Sequence, residues 1–141
     1  LKAGERVDSE RVIEQCGSQV TAGLHFAYEI YQLTRNEAAI PRGLESVWKQ
    51  YCAHVEAMPI APEKRYLQVH NGHCTFMMPE ERRFVTEQTI RASVLVGEPD
   101  ELIARIRAAE KAGLREVGLL PPMASARTVF KEFAEQVIRR Y

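Results

Sequence analysis

The sequence predicts an α/β chain, rich in helix, with two or three short parallel strands. Three observations lead there. Residues 94–96 form a short apolar run, Val-Leu-Val, closed by Gly97. An amphipathic helical pattern follows and feeds, after Gly113, directly into a second apolar run at residues 117–120. A helix delivered straight into a short apolar strand is the sequence pattern of a parallel α/β unit. Residues 11–17, Arg-Val-Ile-Glu-Gln-Cys-Gly, are compatible with a further strand ending at a glycine turn.

The elements are justified in order. From Ser18 a long helix is expected, because Val20, Leu24, Ala27, Tyr28 and Tyr31 recur at helical spacing. Ser18 is placed to cap its free N–H groups, and Asn36 or Pro41 ends it. Leu44, Val47, Trp48, Tyr51 and Val55 predict a second amphipathic helix, with Pro59 and Pro62 bracketing the break after it. Pro62 can start a short helix over residues 63–69, which Asn71-Gly72 terminates. Thr86 is a credible N-cap for a helix through Arg91. Pro99 suits the first turn of the next helix, where Asp100 and Glu101 favour the positive end of the dipole. Leu102, Ile103, Ile106, Ala109 and Ala112 make its apolar stripe, and Gly113 is its left-handed stop. After Pro121-Pro122, Ser125 caps a final helix with a buried stripe of Val129, Phe130, Phe133, Val137 and Ile138, and Glu135 stands four residues before Arg139.

Length and charge bound the function. A chain of 141 residues is expected to be one domain, able to bury about two thirds of its unfolded surface. Lysine plus arginine equals aspartate plus glutamate, 19 of each, so no net field draws the chain to nucleic acid or to an anionic membrane. Cys16, Cys52 and Cys74 are odd in number and widely spaced, which argues against a disulfide framework and suits a reducing cytoplasm. No apolar run approaches the roughly 18 residues of a membrane helix. There is no Gly-rich phosphate loop and no G-x-S-x-G, so kinase and serine-hydrolase chemistry have no residues to stand on.

The run Gly97-x-Pro99-Asp100-Glu101, the amphipathic helix, Ala112-Gly113, the apolar strand and the final helix together resemble the C-terminal end of the luciferase-like monooxygenase superfamily. Upstream, Ala3-Gly4-Glu5, Asp8 and Val12-Ile13 resemble the family's approach to a late barrel strand, with Ser9-Glu10 where the family has a tight glycine. The resemblance implies the C-terminal portion of a (β/α)8 TIM-type barrel. A whole barrel takes about 250 residues, roughly a hundred more than this chain has, and the first residue is Leu1 rather than Met. The expectation is therefore the C-terminal part of a longer protein, whose flavin-phosphate loop lies before Leu1; the alternative is a self-sufficient small helical α/β domain. The implied activity is that of a flavin- or deazaflavin-dependent oxidoreductase, with FMN or the deazaflavin coenzyme F-420 as cofactor and a small organic molecule as substrate.

The densest polar cluster is His70-Asn71-Gly72-His73-Cys74. Two imidazoles and a thiolate are good metal ligands, but a His-x-x-His pair on a turn lacks a third and fourth ligand at zinc-like spacing, so no metal is expected. Some deazaflavin-dependent members carry a similar His-x-Gly-His run followed by Pro-Glu-Arg and Phe-Val-Thr; Pro79, Glu80, Glu81, Arg82, Arg83, Phe84, Val85 and Thr86 stand in those places. The resemblance thus makes His73 and His70 the leading catalytic candidates, against a plain helix stop whose imidazoles bond to backbone. His25, one turn from Tyr28, is a third candidate if its helix lies over the barrel mouth; otherwise it is a core histidine bonded locally. His54 is expected at the rim. The competing reading is a non-catalytic module: a partial barrel exposes strand edges and apolar faces and must pair with a partner or another copy, so a homo-oligomer is expected.

Overall fold

The computed structural model describes the backbone of all 141 residues and every side chain except that of Ala39. Its elements are α1 (Glu10–Thr34), α2 (Glu45–Glu56), α3 (Arg65–Val69), α4 (Glu87–Ser93), α5 (Pro99–Lys111) and α6 (Ala126–Gln136), joined by 3-10 turns at Glu37–Ala39, Pro62–Lys64 and Pro79–Phe84 and closed by another at Ile138–Arg140. Among the described residues there is no strand and no sheet. The α/β class, and with it the C-terminal portion of a TIM-type barrel, is overturned.

Each expected strand fails for an identifiable reason. Residues 11–17 are the opening turns of α1. The Ser9 hydroxyl accepts from the Val12 N–H at 3.4 Å and caps the helix there. Val12, Ile13, Val20 and Leu24 then continue one buried stripe along its length. Gly17 makes no turn: the Met77 Sδ lies 2.8 Å from where its Cβ would stand, so the position is held by close packing inside a helix. The runs at 94–96 and 117–120 are unpaired. A strand exists through a neighbour's N–H and C=O groups, and here none is offered among the described residues. Val117 is 42% and Leu120 73% exposed, the opposite of a parallel strand covered on both faces. Both runs instead line an open groove of about 920 Å³, together with Val129 and Phe133 of α6.

The core lies between α1 and α2. Leu24 and Tyr28 of α1 meet Val47, Trp48 and Tyr51 of α2, and Phe84 closes this layer with its ring edge-on to Tyr51 at 5.3 Å. A second cluster joins Val12, Ile13 and Val20 to Val85 and Ile90, which docks α4 on α1. Thr86 and Thr89 form a reciprocal capping box at the start of α4, with Thr86 N–H donating to the Thr89 hydroxyl at 2.8 Å. That cap holds the preceding turn, Pro79–Phe84, against α1 with Glu81 and Phe84 facing inward. Arg35, in the left-handed region with φ of 53°, ends α1, and its N–H donates to the Tyr31 carbonyl at 2.8 Å. Among the described residues no helix is long and apolar enough to cross a membrane.

Candidate metal centre

Three segments, one of them far from the other two in sequence, supply one polar cluster. Helix α1 carries His25 and, one turn later on the same face, Glu29. His25 is buried in the core layer, with the Tyr51 ring stacked 6.3 Å away. The second segment is the turn after α3. His70 N–H donates to the Tyr66 carbonyl at 3.0 Å, ending the helix, and His73 N–H donates back to the His70 carbonyl at 3.1 Å. Gly72 stands between them with φ of +76°, a conformation that glycine adopts without strain. The third segment is the turn Pro79–Phe84, which buries the Glu81 carboxylate against α1.

The side chains converge. His25 Nδ1 lies 3.1 Å from His73 Nδ1, and His70 Nδ1 lies 3.2 Å from that same atom. A ring nitrogen from each of the three histidines falls within 4.8 Å of the other two. On its far side His25 Nε2 meets Glu81 Oε1 at 2.8 Å, and His70 Nε2 meets Glu29 Oε1 at 2.7 Å. A carboxylate only accepts, so the nitrogen facing it carries the proton. In the neutral ring this leaves the Nδ1 lone pairs of His25 and His70 turned toward His73.

Hydrogen bonds alone satisfy this arrangement only through a shared, bifurcated proton. An imidazole nitrogen has a single in-plane lobe, occupied either by a proton or by a lone pair. The one lobe of His73 Nδ1 faces two nitrogens at hydrogen-bonding distance, and one proton there can serve only one of them well. A cation at the meeting point serves all three lone pairs together. Imidazole nitrogens bound to a tetrahedral zinc at about 2.0–2.1 Å stand about 3.3 Å apart, close to the 3.1 and 3.2 Å of the two pairs that include His73; the His25–His70 pair lies within 4.8 Å.

The cluster runs from core to surface. His25 is buried, His70 is 34% exposed at its side chain and His73 is exposed. The His73 pKa is lowered from its ordinary 6.5, first by partial burial and then by the charge the two neighbouring imidazoles carry when protonated, which favours the neutral ring a metal needs. Beneath His25 the Tyr51 hydroxyl is buried with no hydrogen-bond partner among the described residues. Burial first, and then the Glu81 charge, raises its pKa, so it stays a neutral phenol. The thiols stand apart. Burial pushes Cys16 up to about 12 and Cys52 up to about 11, and Cys74, beside His73 in sequence, contributes no atom to the convergent set. His54 packs instead against Phe84, with ring centroids 5.5 Å apart.

The structure therefore brings His25, His70 and His73 together. Reading the sequence named the three histidines but missed their common meeting point and the two carboxylates behind them. The spacing argument against a metal weighed ligands close to one another along the chain, whereas the third imidazole lies 48 residues before His73. Glu29 and Glu81 were not singled out for the site. Glu29 had a signal, since it follows His25 by one helical turn; nothing in Pro79-Glu80-Glu81 distinguishes the buried carboxylate from its exposed neighbour. Comparison with protein families, with curated proteins and with solved structures finds no match to this chain.

Proposed function

We propose that this protein binds one divalent transition-metal cation through the Nδ1 atoms of His25, His70 and His73, and that the cation activates a water at a fourth, free position. The observation that carries the reading is that the Nδ1 atoms of His25 and His70 both lie against His73 Nδ1, each backed by a carboxylate on its opposite ring nitrogen. Carboxylate-backed histidine is the usual outer support of a metal ligand. Three neutral imidazoles suit zinc, cobalt, nickel or copper, whereas magnesium and calcium prefer oxygen ligands. Three protein ligands with an open fourth position are the pattern of a catalytic rather than a structural zinc site, in which bound water ionises near neutral pH. The activity class is metal-dependent hydration or hydrolysis.

Zinc titration by calorimetry tests this directly. The full chain is expected to take one equivalent, and His70→Ala or His73→Ala to weaken binding about a hundredfold or more. Both positions are at least partly solvent-exposed, so the fold tolerates the change. Equal affinity in the parent and both variants contradicts the assignment.

The alternative proposal is a flavin- or deazaflavin-dependent oxidoreductase acting on a small organic substrate. What favours it is that His25, His70 and His73, the residues it would use, meet at one place. The cofactor and the reaction rest on the family resemblance, and titration with FMN and coenzyme F-420 beside the zinc titration separates the two. A cytoplasmic setting, which three free cysteines suit, and self-association belong to the proposal as well.

A further inference from the structure

We infer that the free coordination position takes the anionic head of a small amphipathic ligand, a carboxylate or hydroxamate, whose apolar body lies over Tyr66, Leu67 and Phe76. This deepens the metal reading and rests on it. Three neutral ligands leave the full double charge on the cation, so an anionic oxygen is the favoured fourth ligand. The two carboxylates at the site face the outer nitrogens of His25 and His70, behind the rings, and do not compete for that place.

The apolar part follows from what flanks the two outer ligands. Tyr66 and Leu67 precede His70 by four and three residues, spacings that share one face of a helix, and His70 N–H is bonded to the Tyr66 carbonyl at 3.0 Å. Phe76 N–H donates to the Gly72 carbonyl at 2.9 Å. Its ring carbons stand 2.7 and 2.8 Å from where a Cβ on Gly72 would be, so the ring lies on the turn between the two ligands. Yet these side chains are 55%, 57% and 54% exposed. A single exposed apolar residue is ordinary; three on the segment that carries His70 and His73 make a surface suited to a ligand with an apolar body.

The test uses the full chain loaded with cobalt(II), whose visible absorption reports a new fourth ligand. Acetohydroxamate and benzohydroxamate are titrated in parallel. They present the same head and differ in the body. Benzohydroxamate is expected to bind about tenfold more tightly, the scale set by burying part of an aromatic ring. In Tyr66→Ser and Leu67→Ser, both at exposed positions, the preference is expected to fall to about twofold while cobalt affinity is unchanged. Equal affinity for the two hydroxamates in the parent, a preference that survives in both variants, or cobalt binding with no spectral response to either hydroxamate overturns the inference and leaves the metal centre standing. Failure of cobalt to bind at all overturns the metal centre and the inference together.

Discussion

His73 Nδ1 is the atom on which the site turns, because it faces both His25 and His70 Nδ1 while Glu81 and Glu29 hold the other two rings in orientation. The two carboxylates should not count equally. Glu81 is buried, so removing it leaves His25 Nε2–H without an acceptor in a place water does not replace. Glu29 is 45% exposed at its side chain, where solvent takes over. Glu81→Ala is therefore expected to weaken zinc binding about 10- to 100-fold, with Glu81→Gln retaining part of the loss, and Glu29→Ala to cost only a few-fold. Competition titration against a chromophoric chelator checks the order, and equal losses at the two positions would sink the burial argument. At this scale the histidines were legible: His70 and His73 stand out as a pair, and His25 sits on a clear helical stripe. Their common meeting point was not, because convergence across 48 residues depends on how α1 packs against the 70–81 segment.

Helix α1, 25 residues long, ties the site to the rest of the chain. Its first turn is held by Arg11, which pairs with Glu5 and reaches Glu132 of α6 at 3.2 Å. The Arg11 guanidinium, by hydrogen bonding first, holds the Glu5 carboxyl down from an ordinary 4.5 to about 2. A carboxylate whose pKa is lower folded than unfolded stabilises the fold above its unfolded value, and that stabilisation is lost as pH falls toward the folded one. The Tm of the parent should thus drop between pH 4.5 and about 2, and Arg11→Met should flatten that part of the profile. Parallel profiles for the two proteins contradict it. Element by element, the helices α2, α5 and α6 were readable because a 3.6-residue stripe needs no distant partner to declare itself, but the burial expected of the last stripe is not found: Phe130 and Ile138 are exposed and only Val137 is buried. The supposed strands were not readable. Val94-Leu95-Val96 and Val117-Gly118-Leu119-Leu120 have the composition of buried strands, but only a neighbouring strand makes them one. Gly17 likewise reads as a stop until Met77 is seen packed against it.

For the molecule as a whole, the aromatic layer of Tyr28, Trp48, Tyr51 and Phe84 forms a floor, and the cluster stands at its edge, reaching from core to solvent. A cation there would join α1 to the turn after α3, and through Glu81 to the turn before α4, so binding would couple to the stability of these contacts. The central claim is that one cation is held by three imidazole nitrogens from two separate segments. The most direct measurement is the zinc X-ray absorption spectrum of the loaded protein. The account predicts three imidazole nitrogens and one oxygen at about 2.0–2.1 Å. A sulfur shell at about 2.3 Å, or a shell of oxygen alone, would contradict it.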